Sequence, residues 1–193
     1  MARWQPGTAA RLQAAALELF ATRGYERTTA TEIAQSVGLT ERTFFRHFTD
    51  KREVLFHGQH LLAEALLEGA RGAPSEASPL DAVARALRSA AAFFPAERRP
   101  HSRIRKTVID ENPALQEREL RKLADLGTTL TDTLRARGVD DLAATVAAQT
   151  GVAVFGVAFT RWVRDGEERA FEEIAAEVYG ELLAQAGSAA PVR

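Results

Sequence analysis

No cysteine occurs among the 193 residues, which excludes disulfide staples, thiolate metal ligands and thiol nucleophiles. That absence fits a reducing compartment such as the cytoplasm. Alternating β-branched segments are missing as well, while Ala, Leu, Glu and Arg dominate, so no strand is expected and the fold class is all-α. The opening stretch MARWQPGTAARLQAA holds no apolar core of signal-peptide length. The longest strongly apolar run, residues 151–159, is about half of a bilayer span, so no membrane partner is expected. There is no internal repeat, no phosphate-cradling glycine loop and no nucleophile–base pair, and therefore no expectation of catalysis.

What is present is length and an uneven charge. A chain of this size can bury about 70% of its unfolded surface and needs no staple. The formal net charge is −1, too balanced to argue for nucleic acid from the whole chain. Residues 1–60 nevertheless hold eight Lys/Arg against six acids, leaving 17 against 20 for the remainder. A mildly basic head on a mildly acidic body is the asymmetry of a DNA-binding module carried by a part that does not bind DNA.

Residues 28–51, TTATEIAQSVGLTERTFFRHFTDK, organise that head. Thr29 and Glu32 have the spacing of a capping box, which predicts a helix from about Ala30. Ile33, Ala34 and Val37 form its apolar stripe, and Gly38 sits where a C-terminal cap wants a residue tolerant of positive φ. Thr40 can cap a second helix carrying Glu41, Arg42, Thr43, Phe44, Phe45, Arg46, His47 and Phe48. Asp50 and Glu53 form another candidate box. Before this pair, residues 8–23 place Leu12, Ala15, Ala16, Leu19 and Phe20 on one stripe. The expected head core is Leu19, Phe20, Tyr25, Ile33, Val37, Leu39, Phe44 and Phe48. A short helix, a glycine turn and a basic, aromatic second helix are the parts of a DNA-binding helix-turn-helix.

The rest of the chain reads as further helices, about nine in all. One runs from Lys51 to about Ala70 and ends in the linker 69–78, after which Ser78, Pro79 and Asp81 open a helix to about Phe94. Residues 95–100 break the chain. A helix over about 102–111 ends at Asn112-Pro113, which can cap the next, to about Arg137, with a heptad-like seam of Leu120, Leu123, Gly127, Leu130 and Leu134. The last two helices run from about Asp140 to Arg164 and from about Glu167 to Gln185, and residues 186–193 look frayed. The first of this pair is apolar nearly all round, so something must cover it, and a four-helix contact across a two-fold axis does so economically. The boundary is placed at 1–52 for the head and 53–193 for the body.

The head resembles the TetR family of transcriptional repressors in the order Phe20, Gly24-Tyr25, Thr28-Thr29, Ile33-Ala34, Val37-Gly38-Leu39, Thr43-Phe44-Phe45-Arg46-His47-Phe48 and Lys51. The body run Asn112-Pro113-Ala114-Leu115 looks like members whose bodies receive acyl-CoA-like or other apolar ligands. Chemistry puts Arg42 and Thr43 on base edges and Arg46 on a base or a phosphate. The resemblance implies phosphate contact at the position of Phe45, at His47 and at Lys51, with Thr28 or Thr29 near the DNA backbone and Thr40 at the start of the reading helix. Many relatives have tyrosine where this chain has Phe45, which lacks the hydroxyl and can only pack. Phe44 and Phe48, at i and i+4, belong to the core rather than to DNA.

In the body, Phe93, Phe94, Phe155, Phe159 and Trp162 are the candidate lining of an apolar effector site, with Arg103, Arg105 and Lys106 available to an anionic head group. Ordinary core aromatics are the simpler alternative. No cofactor is expected beyond a small apolar or acyl-type effector. Glu53, His57, His60 and Glu64 share one face of a continuous helix, but one face rarely completes a metal shell, and no metal site is assigned. The leading expectation is a ligand-responsive, homodimeric repressor of double-stranded DNA, paired through the last two helices. The alternatives are a small helical apolar-ligand carrier or enzyme without DNA binding, and an activator of the same fold.

Overall fold

The computed structural model describes residues 7–188, and every regular element among them is helical, as the composition requires. In order these are α1 (Thr8–Arg23), α2 (Ala30–Ser36), α3 (Glu41–His47), a 3-10 segment (Lys51–Phe56), α4 (Gln59–Arg71) and α5 (Pro79–Ala91). A second 3-10 segment (Ala96–Arg98), α6 (Arg99–Asp110), α7 (Pro113–Ala136), α8 (Asp141–Trp162) and α9 (Phe171–Ser188) complete them. Residues 186–188, expected to fray, continue α9, and 189–193 lie outside the described residues.

The caps expected at α2 and α5 are where the chemistry put them. Thr29 accepts from the Glu32 amide while the Glu32 carboxylate accepts from the Thr29 amide, so α2 starts on a complete capping box. Ser78 and Asp81 build the same device at α5, with Pro79 in its first turn. Asp140 caps α8 by accepting from Leu142.

Four boundaries differ from expectation. The continuous helix over Lys51–Ala70 is divided: Gly58 has φ +82°, a left-handed conformation no helix interior holds, so a 3-10 turn precedes it and α4 follows. That division takes Glu53, His57, His60 and Glu64 off a common helix face. Asp50 accepts from the amides of Arg52 and Glu53, but the Glu53 carboxylate goes to Arg118, so the second half of that box is not made. Asn112 does not cap the helix that follows it. Its side-chain amide donates 2.6 Å to the Val108 carbonyl and closes α6. Finally α9 begins at Phe171, because the Glu167 carboxylate accepts from the amides of Glu168 and Arg169 and holds a turn there.

By packing, the chain divides into two units. The first joins the N-terminal residues through His60 to His101–Glu119, so the head does not end at residue 52: the α6–α7 corner belongs to it. Its core contains the expected Phe20, Tyr25, Ile33, Phe44 and Phe48, with Leu19, Val37 and Leu39 at its margin. Val54, Leu55 and Phe56 from the 3-10 turn and Val108, Ile109 and Leu115 from the corner complete it. A head of α1–α3 alone is too small to bury a sufficient core, and these six residues enlarge it.

The second unit, Leu61–Pro100 with the chain from Leu120 onward, is built on α5, α8 and α9 packed together. Alanines at 82, 86, 90, 144, 147, 148 and 158 bring the helices close, and Phe155, Trp162, Phe171 and Ile174 fill what remains. Leu130 and Leu134 of the expected α7 seam are buried here, whereas Leu120 is 67% exposed and leaves it. By length and composition α8 could cross a bilayer, which the unbroken run 151–159 did not suggest. Its buried face packs in this core, while Leu142, Val146 and Val157 stand 72%, 57% and 51% exposed at helical spacing. Leu183 of α9 is 43% exposed.

Candidate nucleic-acid interface

The α2–α3 corner is rigid for reasons visible in its backbone. Gly38 has φ +72°, and the Leu39 amide reaches back 2.9 Å to the Ala34 carbonyl, so the turn is closed by main-chain bonds. Arg11 of α1 donates 2.8 Å to the Val37 carbonyl, tying the end of α2 to the first helix. Among ordinary surface arginines nothing in the sequence singles it out. Phe44 and Phe48 face inward with ring centroids 5.2 Å apart, which leaves Arg42, Phe45, Arg46 and His47 on the outer face of α3.

The threonines divide in an instructive way. Thr40 caps α3 by accepting from the Thr43 amide at 3.2 Å, and the two hydroxyls lie 3.1 Å apart. Thr29 is exposed at the start of α2, but Thr28 is 1% exposed and its hydroxyl donates 2.9 Å to the Gly24 carbonyl. Thr28 is therefore a buried strut of the α1–α2 loop, and Thr29 is the surface residue of the pair. Phe45 is 49% exposed, with its ring edge-on and 5.4 Å from that of Phe44.

Most cations of this unit are already engaged. Lys51 donates 2.8 Å to the Tyr25 carbonyl and stands 4.0 Å over the Tyr25 ring; burial holds its pKa below the usual lysine value. Burial, then the nearby Glu26 charge, pushes the Tyr25 hydroxyl up to about 12. Arg23 pairs with Glu32, Arg52 with Asp50 and Arg118 with Glu53. Arg105 bonds the Leu55 carbonyl at 2.8 Å and Glu119 at 3.0 Å. Arg42 and Arg46 alone among the arginines of α1–α3 make no hydrogen bond or ion pair with the described residues, and both are exposed. A short helix with two uncommitted guanidiniums one turn apart, mounted on a rigid corner, is the geometry of a groove-reading element.

Comparison with known proteins agrees. Residues 12–57 match the N-terminal model of the tetR family of bacterial regulatory proteins, and residues 77–186 match the MftR C-terminal domain. The chain belongs to the TetR family. The HTH-type transcriptional regulator TcmR of Streptomyces glaucescens is 43% identical over 74 residues, which is 38% of this chain and 33% of that protein. The chain therefore matches about a third of that relative's length. Among solved structures, the FadR repressor of Thermus thermophilus, in complex with lauroyl-CoA, superposes with a TM-score of 0.57 at 24% identity over 96% of this chain and 97% of its own. The regulator PfmR, also from Thermus thermophilus, gives 0.52 at 25% identity over 90% and 97%. These likenesses extend the TetR fold over both units.

In this TetR-family protein the effector residues expected from the sequence do not all meet. Phe94, Phe155, Phe159 and Trp162 form one cluster, joined by Phe171, with the Phe94 and Phe171 rings stacked at 4.4 Å. Phe93 is half-buried beside them in sequence. Arg103 and Arg105 lie on α6 and belong to the first unit, so they are not part of this set. Arg99, which sequence reasoning passed over, is: its guanidinium carbon lies 5.1 Å from the Trp162 ring. No periodicity signals it, since Arg98 and Arg99 follow a proline in an irregular stretch. The cluster rings pack on one another. An open groove of about 260 Å³ lies instead between α5 and α9, lined by Asp81, Ala84, Leu87, Arg88, Glu172, Ala175, Ala176 and Tyr179.

Proposed function

We propose that the protein is a homodimeric, ligand-responsive repressor that places α3 of each protomer in successive major grooves of a near-palindromic operator. The observation that carries this reading is the pair Arg42 and Arg46, exposed and uncommitted on α3 while neighbouring cations are bound internally. Arg42 and Thr43 read base edges, Arg46 and His47 take a base or phosphate, and Thr29, Thr40 and Phe45 lie along the backbone. Lys51 keeps N–H groups beyond its bond to Tyr25 for a phosphate. Half-sites centred about 34 Å apart, or somewhat more, follow from one turn of DNA between grooves.

The exposed row Leu142, Val146 and Val157 on α8, with Leu183 on α9, supports pairing through the last two helices. An apolar or acyl-type effector received in the second unit favours head spacings that no longer fit the operator, which requires unequal affinity for the two arrangements. The aromatic cluster supports an apolar ligand. The lauroyl-CoA of the Thermus FadR complex is an example of that chemistry in the same fold.

Mobility-shift titration against the chain's own upstream region tests the assignment. Arg42→Ala is expected to weaken binding by about 1–3 kcal/mol, roughly fivefold to 150-fold, and to relax preference at one base pair. Retained affinity and preference would remove α3 from the reading role. Val146→Glu with Val157→Glu is expected to give a monomer by sedimentation, and a dimer that survives both would place the interface elsewhere.

A further inference from the structure

Two buried hydrogen-bond donors in the second unit have no acceptor among the described residues. Trp162 is 0% exposed and its indole Nε1 has no partner among the described residues. Arg99 is 8% exposed; its Nη1 and Nη2 donate to the carbonyls of Glu167 and Arg169, while its Nε is buried with no partner among the described residues. The two groups are neighbours, with the guanidinium carbon 5.1 Å from the Trp162 ring. No carboxylate pairs with Arg99 among the described residues, so its charge is met by two carbonyls and a ring face. Around them stand Phe94, Phe155, Phe159 and Phe171, with Phe94 5.5 Å from Trp162 and Phe159 6.2 Å from it.

More than nine in ten buried polar groups in folded proteins are hydrogen-bonded, and an unpaired one carries a desolvation penalty. A buried guanidinium calls for an anion rather than for more hydrocarbon. Two such donors side by side, one of them charged, at an aromatic wall make the polar end of a site whose remainder is apolar. We propose that this cluster binds an apolar carboxylate. Its oxygens accept from Arg99 Nε and Trp162 Nε1, and its hydrocarbon or aryl body replaces ring contacts of Phe94 and Phe159, the two half-buried members of the cluster. The inference rests on the reading of the second unit as the effector-receiving part, and it places the head group on Arg99 instead of Arg103.

The test uses the full chain carrying Trp4→Phe, so that Trp162 supplies the one indole N–H resonance. Octanoate and naphthoate are titrated separately, each against its alcohol, octanol or naphthol, to distinguish acyl from aryl bodies. One of the two carboxylates is expected to move the Trp162 indole resonance downfield and saturably, with its alcohol ineffective at the same concentration. An indole N–H resting on a neighbouring ring face would not move with either, and that result overturns the proposal. By calorimetry in the unlabelled protein, Arg99→Met is expected to lower carboxylate affinity at least about tenfold. Because Arg99 also ties two carbonyls, Trp162→Phe is the second variant: it keeps a ring, loses the donor, and is expected to cost about fivefold. Unchanged affinity in both overturns the site. A carboxylate that binds there without releasing operator upholds the site and sinks the effector reading. A ligand that releases operator equally from Arg99→Met does the reverse.

Discussion

The two units share one kind of polar tie and differ in the core it surrounds. The first buries a small core and surrounds it with charges that bond backbone carbonyls: Arg11 to Val37, Lys51 to Tyr25 and Arg105 to Leu55. The second carries comparable ties, Arg99 to the carbonyls of Glu167 and Arg169, Arg137 to those of Arg71, Ala73 and Pro74, and Tyr179 to that of Leu80, but sets them around a larger core of alanine-lined helix contacts and a five-ring aromatic cluster. A head of this size has too little apolar surface to be stable on hydrophobic burial alone, so polar ties fix its corners. The same device sorts its cations. Those that secure the fold are bound, and Arg42 and Arg46 are left exposed and uncommitted among the described residues.

The smaller core implies that the head depends more on each polar tie than the body does, and three measurements bear on it in descending size. Arg105→Ala is expected to destabilise the first unit by about 3 kcal/mol, since it leaves Glu119 without its ion pair and removes the bond to the Leu55 carbonyl. Amide exchange should show protection lost in α1–α3 and kept in α8; equal loss in both would dissolve the distinction. Thr29→Ala removes the cap of α2 and should cost about 1 kcal/mol, read as faster exchange of the α2 amides and a weaker operator complex. The smallest effect is the response to acid. Burial, followed by the charges of His60 and His47, holds the His57 pKa below its ordinary 6.5. The folded head therefore binds fewer protons than the unfolded chain in this range. Stability from that difference is complete above pH 6.5 and is lost as pH falls through the folded value. His57→Gln should flatten the decline in head stability between neutrality and mild acid, and leave α8 protection unaltered.

The legible parts are those with local causes. The Thr29–Glu32 box, the Thr40 and Ser78 caps and the inward Phe44–Phe48 pair are set by residues within four positions of one another, and all stand in the structure. The less legible parts depend on distant partners. Glu53 has the spacing of a cap and is claimed by Arg118, 65 residues on. Arg11 has the character of a surface residue and is claimed by the Val37 carbonyl, 26 residues on. Arg99 carries no local signal because its meaning comes from Glu167 and Arg169, 68 and 70 residues away.

Composition and short-range spacing by themselves determined the all-helical class, the capped starts of α2, α3 and α5 and the basic, aromatic character of α3, because caps, periodicity and propensity act within one or two turns. Tertiary structure decided which charges remain free. It also assigned the α6–α7 corner to the head and brought Arg99 under Trp162. Those outcomes turn on which carbonyl or carboxylate reaches a given cation first, and separation along the chain does not encode that distance.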